Sequence, residues 1–115
     1  RKLFSLDEFR ILPQICYDLR FPVFSRSRGD YDVLLYVANW PDSRQAVWET
    51  LTRARAMENQ SYLIGTNRVG SDGTGTVSIG GTCLIDPVGN EIHRLDEKPG
   101  IISSVLDLEK LRNFR

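Results

Sequence analysis

Hydrophobic and polar positions divide the chain into short runs of distinct period. Arg10 to Cys16 (Arg-Ile-Leu-Pro-Gln-Ile-Cys) is mostly apolar and bounded by charge, which predicts a strand. Pro13 lies inside it and has no N–H to donate, so an edge position or an irregular ladder is expected. Asp18 to Arg28 reads as a loop or short helix, closed by the polar Ser25–Asp30 stretch. Asp32 to Asn39 is the clearest strand, and its near-continuous hydrophobicity predicts cover on both faces. Trp40-Pro41-Asp42 then breaks the chain, and Asp42 with Gln45 has the spacing of a capping box. A helix is predicted from there to about Asn59, with Val47, Leu51, Ala54 and Met57 or Glu58 on its inner face. Tyr62 to Arg68 is the next strand, and Gly70–Gly75 is a hairpin turn or a rim loop. Thr82–Ile85 stops at Asp86-Pro87, and Val88-Gly89-Asn90 turns into Glu91–Arg94 as a hairpin. Ile101 to Leu106 is expected to form a last strand, with Asp107 capping a short terminal helix. Strand–helix–strand followed by hairpins gives an α/β fold with a mixed sheet, forming one domain or part of one.

Composition narrows the function. The 115 residues are 41% hydrophobic and 26% charged, which is ordinary for a globular chain. Fifteen Lys plus Arg balance fifteen Asp plus Glu, so there is no basic surplus for neutralising phosphates, and nucleic acid is not an expected partner. Runs such as Val33–Ala38 are far shorter than the roughly 18 apolar residues of a membrane span. Arg1-Lys2 is followed by Asp7-Glu8 where a signal peptide needs an apolar core, so neither membrane nor secretion is expected. Cys16 and Cys83 form no CxxC pair, and with the single His93 they are too few for a zinc site, so no metal is expected. A Cys16–Cys83 disulfide stays open on sequence, but reduced cytoplasmic thiols suit the composition better.

The chemistry centres on Cys16, where the first strand gives way to Tyr17-Asp18-Leu19-Arg20-Phe21-Pro22. A side chain at the carboxyl end of a sheet strand is held rigidly and faces a loop-lined crevice. A thiol beside Arg20 and the amides of a tight turn can act as a nucleophile, while a free cysteine can equally be a small core residue. Three residues separate Cys16 from Arg20, against the five of a phosphatase loop. His93 sits on a predicted hairpin strand and reads as surface, so a papain-like pair is not expected. Arg20 and Asp18 either orient the loop, pair with each other, or leave Arg20 for a substrate carboxylate. Asn39 and Trp40 end the second strand at the same edge and are expected to line the pocket, the alternative being a helix-entry turn anchored by Trp40. Arg68 ends the third and is a candidate for gripping a carboxylate through two hydrogen bonds. Arg55 with Glu58 reads as an i,i+3 ion pair, and Cys83 as a buried structural thiol.

The blocks Ile15-Cys16-Tyr17-Asp18-Leu19-Arg20-Phe21-Pro22, Tyr31 to Pro41, Arg53 to Gln60, Asn67 to Gly73 and Gly81 to Gly89 occur in an order that resembles the nitrilase, or carbon–nitrogen hydrolase, superfamily. The Val37-Ala38-Asn39-Trp40-Pro41 and Asn67-Arg68-Val69-Gly70 wording is most similar to its omega-amidase branch. The resemblance implies an αββα sandwich and a Cys-Glu-Lys site that hydrolyses small carboxamides, such as 2-oxoglutaramate, through a cysteine thioester. It matches Cys16 to the nucleophile and the Tyr17 backbone N–H to the oxyanion donor. It implies no cofactor, a small-molecule amide as partner, and homo-oligomers as in other members. The family's glutamates and lysine lie N-terminal to its cysteine, and Lys2 aligns beside the lysine position rather than on it. Glu8 lies too near Cys16 for the family spacing. Residues 1–115 are therefore expected to be the C-terminal part of such a domain, inactive when expressed alone and with sheet faces left wet. The alternative is a non-catalytic homologue used as a binding or assembly module.

Overall fold

Eight strands and three helices form in the computed structural model, which describes residues 1–115. The strands are β1 (Phe4–Leu6), β2 (Phe9–Ile15), β3 (Val33–Ala38), β4 (Tyr62–Asn67), β5 (Val69–Ser71), β6 (Val77–Ile79), β7 (Cys83–Ile85) and β8 (Glu91–Arg94). The helices are α1 (Pro22–Ser25), α2 (Gln45–Asn59) and α3 (Leu108–Phe114), with 3₁₀ turns at Cys16–Arg20 and Asp42–Arg44. One six-stranded sheet runs β1-β2-β3-β4-β7-β8, and β5-β6 is a separate ribbon. β2, β3 and β4 are parallel, whereas the outer pairs are antiparallel, so the sheet is mixed as expected. β1 pairs only with Phe9–Ile11, which makes β2 an edge strand from Pro13 onward and removes one ladder from the proline.

α2 lies on one sheet face, and its inner stripe differs from the predicted one by a single position. Trp48, Thr52, Arg55, Ala56 and Asn59 are buried, whereas Met57 is exposed and Val47 and Leu51 are only partly covered. Trp48 decides the rotation because its ring fills the space above Gly65, where an added Cβ would lie 3.0 Å from the indole. Truncating such a fully buried Trp to Ala costs about 3–5 kcal/mol. The polar members of the stripe are tolerated because their groups are satisfied. Thr52 Oγ1 donates to the Trp48 carbonyl, Asn59 Nδ2 to that of Arg55, and Arg55 to that of Leu19. The expected Asp42–Gln45 box does not form; a 3₁₀ turn precedes the helix, and the Gln45 amide donates to the Gly80 carbonyl instead. Gln60, at φ +49, ends the helix in the left-handed conformation.

The core between α2 and the sheet includes Leu12, Leu34, Tyr36, Leu63, Ile85 and both tryptophans. The other sheet face is covered only in part, by Leu108 and Leu111 of α3 on Val33 and Tyr62 and by the 101–106 segment beside Ile64 and Leu84. Further along, Ile15 is 67% and Val37 47% exposed, so the cover expected on both faces of β3 holds for Val33 and not for Val37. Asp107 caps α3 as expected, its Oδ1 accepting the Lys110 N–H at 2.8 Å. The strand expected at Ile101–Leu106 is absent. That segment crosses the sheet face beside Ile64 and Leu84 without a neighbouring edge to pair with, leaving Ile101 and Val105 almost fully exposed. At the amino ends of the parallel strands, buried Asp32 accepts two arms of Arg10 and one of Arg115. No helix is long and apolar enough to cross a membrane.

Candidate active site

Because β2, β3 and β4 are parallel, their carboxyl ends share one edge of the sheet, the position where α/β sheets bind ligands. Ile15 is in register with Val37, Val37 with Thr66, and Ala38 with Asn67. Cys16, Asn39 and Arg68 therefore leave the sheet side by side, across about two strand spacings or roughly 10 Å.

Cys16 opens the first 3₁₀ turn at φ +43, left-handed backbone that non-glycine residues seldom adopt. The sign change turns the chain sharply out of β2, and the thiol is half-buried against the edge of the core. Asp18 stabilises the turn, its Oδ2 accepting the Ile15 N–H at 3.0 Å, while the Phe21 N–H closes onto the Asp18 carbonyl at 3.0 Å. The Leu19 side chain is fully buried and pins the turn from below. The Tyr17 amide belongs to the first turn of this 3₁₀ helix, where N–H groups have no intrahelical acceptor. The Tyr17 ring is exposed and packs edge-on against Phe21.

Arg20 makes no ion pair with Asp18, whose carboxylate is engaged by the Ile15 amide. Its guanidinium carbon lies 5.6 Å from the centre of the Trp40 ring and 5.9 Å from that of Tyr17, and its buried Nε has no hydrogen-bond partner. A cation flanked by aromatic faces, with its donors unengaged by any carboxylate, suits an anionic group. Trp40 reaches the edge only as the plate beside Arg20. It is 1% exposed, packs on Trp48, and its indole N–H donates to the Arg44 carbonyl, so the helix-entry anchor describes it better than an open pocket wall. Asn39 is exposed at the edge. Arg68 is partly tied, its Nη2 donating to the Ser71 carbonyl at 2.8 Å.

Asn67 is the organising residue that sequence reasoning passed over in favour of its neighbour. It is 6% exposed, and its side-chain oxygen accepts the Trp40 N–H at 2.7 Å. Its Nδ2 donates to the Trp40 carbonyl at 3.2 Å and the Gly80 carbonyl at 2.8 Å. One amide thus fixes the turn after β3 to the loop before β7. The available signal was a polar residue closing a buried apolar run. Gly80 and Gly81 both have φ +76, and an added Cβ would stand 2.6 Å from the Asp96 carbonyl oxygen or 2.5 Å from Gln45 Nε2, so both positions require glycine.

Several remaining candidates lie elsewhere. Cys83 is buried in β7, where burial pushes its thiol pKa up. His93 is exposed on β8 and Glu8 on the turn between β1 and β2. Glu58 pairs with Arg55 on α2. No three His, Cys, Asp or Glu side chains converge on a point where a metal ion could bind. Chemically, the edge offers a thiol on a strained turn, adjacent backbone donors and an unpaired guanidinium.

The chain is similar to known proteins over its whole length. A family model for carbon-nitrogen hydrolase matches residues 1–115. The omega-amidase YafV of Yersinia enterocolitica is 49% identical over 118 aligned positions, covering all of this chain and 45% of that protein. Omega-amidase YafV of Escherichia coli is 50% identical over 108 positions, covering 93% of this chain and 42% of its own length. The crystal structure of XC1258 from Xanthomonas campestris, described as a CN-hydrolase superfamily protein, superimposes with TM-score 0.97 at 39% identity, over the whole chain and 46% of that protein. The chain thus spans less than half the length of the relatives it matches.

Proposed function

The chain belongs to the carbon–nitrogen hydrolase family, and on that premise we propose that it carries the nucleophile of an amidase, with Cys16 as that nucleophile. The observation that carries the proposal is the placement of Cys16 on a left-handed turn at the shared carboxyl edge of three parallel strands. In the proposed reaction the Cys16 thiolate attacks the carbonyl carbon of a small carboxamide. The C–N bond breaks as the nitrogen is protonated and leaves as ammonia, and water then cleaves the thioester to the acid and the free thiol. The Tyr17 N–H donates to the developing oxyanion. Arg20, set against Trp40, holds a distal carboxylate of the substrate, with Arg68 and Asn39 at the rim, which favours a dicarboxylic monoamide of the omega-amidase type such as 2-oxoglutaramate.

The proton-transferring glutamate and the lysine that complete such a site are expected upstream of Cys16, with residues 1–115 forming the C-terminal part of the catalytic domain. No organic cofactor takes part, and the protein acts in the cytoplasm on a small molecule, as a homo-oligomer.

A chimera tests this. In it the present chain replaces the matching segment of the Yersinia relative, from which it differs at about half of its positions. The expected result is ammonia release from 2-oxoglutaramate by the chimera, none by its Cys16→Ala form, and none by the 115-residue chain expressed alone. A folded chimera that releases no ammonia, or one whose Cys16→Ala form stays active, overturns the assignment. The second reading, a non-catalytic module, would predict the inactive chimera.

A further inference from the structure

Arg55 is a buried charge that the proposed amide chemistry does not use. It stands in the second half of α2 with its side chain 4% exposed. Its Nε and Nη2 both donate to the Leu19 carbonyl, at 3.0 and 2.8 Å, while Nη1 donates to Glu58 at 3.1 Å. A guanidinium fork ordinarily closes on the two oxygens of a carboxylate. Here two arms converge on one backbone oxygen, and that oxygen belongs to the turn that begins at Cys16. Glu58 is 40% exposed, so it answers only the outer arm. An isolated core ion pair would have no reason to send its two buried donors to the turn, and a buried guanidinium is costly to desolvate unless its arms are satisfied.

The turn needs such a fastening. Left-handed backbone at a residue with a Cβ is strained and persists only where its surroundings over-determine it. The Asp18 carboxylate and the Phe21 amide close the turn on itself, which shapes it without fixing it to the rest of the molecule. Leu19 is buried but offers packing alone, which permits rotation more readily than a directed hydrogen bond does. The Arg55 fork supplies the directional tie from the helix layer, made by charge-assisted hydrogen bonds in a water-excluded place.

We propose that Arg55 is a positioning residue for the nucleophile: through the Leu19 carbonyl it holds the 16–20 turn, and with it the directions of the Cys16 thiol and the Tyr17 N–H. The functional part of the proposal rests on Cys16 being the nucleophile, as argued above. Arg55 touches neither substrate nor the thiol, so its effect is on the reactivity of Cys16.

The test uses the 115-residue chain and its Arg55→Met, Arg55→Lys and Glu58→Gln forms. Two quantities are measured: the rate of Cys16 alkylation by iodoacetamide against pH, with buried Cys83 as the reference thiol in the same sample, and deuterium uptake by the amides of residues 16–21. In Arg55→Met the 16–21 amides exchange about tenfold faster while β3 and β4 stay protected. The Cys16 alkylation rate changes by about fivefold, with a displaced pH profile. Glu58→Gln stays within about twofold of the parent, because the inner fork survives. Arg55→Lys, which can keep one bond to Leu19, falls between. If exposure of Cys83 shows Arg55→Met to be unfolded, Arg55→Lys carries the same readouts. Unchanged exchange at 16–21, or an unchanged ratio of mutant to parent Cys16 rates across pH, overturns the proposal. So does a Glu58→Gln effect equal to that of Arg55→Met, which would reduce Arg55 to half of an ion pair. Should the Cys16→Ala form of the chimera described above stay active, the amidase assignment fails, while the ratio between Arg55 forms still decides the positioning role.

Discussion

Replacing Cys16 by glycine and by alanine should reverse the order of stability usual for those two residues. At an ordinary position glycine is worse than alanine by about 0.5–1 kcal/mol, since it loses more backbone freedom on folding. Cys16 sits at φ +43, where a residue with a Cβ bears a penalty of about 1–2 kcal/mol that glycine escapes. Subtracting the entropy cost from the relieved strain leaves glycine ahead of alanine by about 0.75 kcal/mol, within a range of roughly 0 to 1.5. The thiol is only half-buried, so the two variants lose similar contacts beyond Cβ and the comparison isolates the backbone. Ala46→Gly, on the exposed face of α2, supplies the control and should cost about 1 kcal/mol. Urea unfolding followed by circular dichroism measures all three, supported by melting curves in which 1 kcal/mol moves Tm by about 4 °C for a chain of this size. If Cys16→Gly is less stable than Cys16→Ala by as much as Ala46→Gly falls below the parent, the turn is not held left-handed. The strained backbone at Cys16 would then have to be abandoned.

Two other outcomes follow from the polar ties at the opposite ends of the parallel strands. Burial opposes ionisation of Asp32, but hydrogen bonds from the Arg10 side chain and amide, with the charges of Arg10 and Arg115, outweigh it and hold its pKa below the usual value. The stabilisation is therefore complete above the unfolded-state pKa of about 4 and is lost as pH falls through the lower folded value. Asp32→Asn should cost about 2 kcal/mol at pH 7, because the arginines it releases are partly solvated, and should flatten the acid limb of a stability–pH curve. An unchanged acid limb refutes the assignment. Asn67→Asp should cost about 2–4 kcal/mol by setting a carboxylate against the Trp40 and Gly80 carbonyls. Tryptophan emission should shift to the red as the Trp40 turn loosens, and an unshifted spectrum would show that Asn67 does not hold that turn.

The parts of the fold written in apolar runs were legible. β2, β3, β4 and β7 appear within one or two residues of their predicted bounds, because a run such as Val33–Ala38 has few ways to hide its side chains other than in a covered strand. Ile101–Leu106 has the same apolar character and forms no strand, since a strand needs a partner edge that its own residues do not encode. The inner stripe of α2 was displaced because Thr52, Arg55 and Asn59 count as polar in a periodicity, yet each buries its side chain on a backbone carbonyl. At the candidate site the position of Cys16 at a strand end could be read from the sequence. The sign of its φ angle could not, because cysteine has no preference for left-handed backbone that would announce it.

The buried polar residues that the pattern missed have a bearing on function. A thiol on a strained turn is stable in that geometry only if bonds from elsewhere fix the turn, and such bonds need polar groups inside the core. Arg55 reaches Leu19 from the helix layer, and Asn67 joins the Trp40 turn to Gly80 across the strand ends. Each is a polar residue at a position that a hydrophobic pattern would fill with an apolar one. An apolar substitute at either place would satisfy the pattern and leave the edge loops free to move. Locally inconsistent polar residues in an otherwise consistent core are expected where structure is subordinated to a site. In this chain Arg55 bonds the turn that carries Cys16, and Asn67 bonds Trp40, the plate for Arg20. Unlike Thr52 and Asn59, whose side chains donate to carbonyls within α2, Arg55 and Asn67 thus converge on one sheet edge, which a site needing fixed geometry requires.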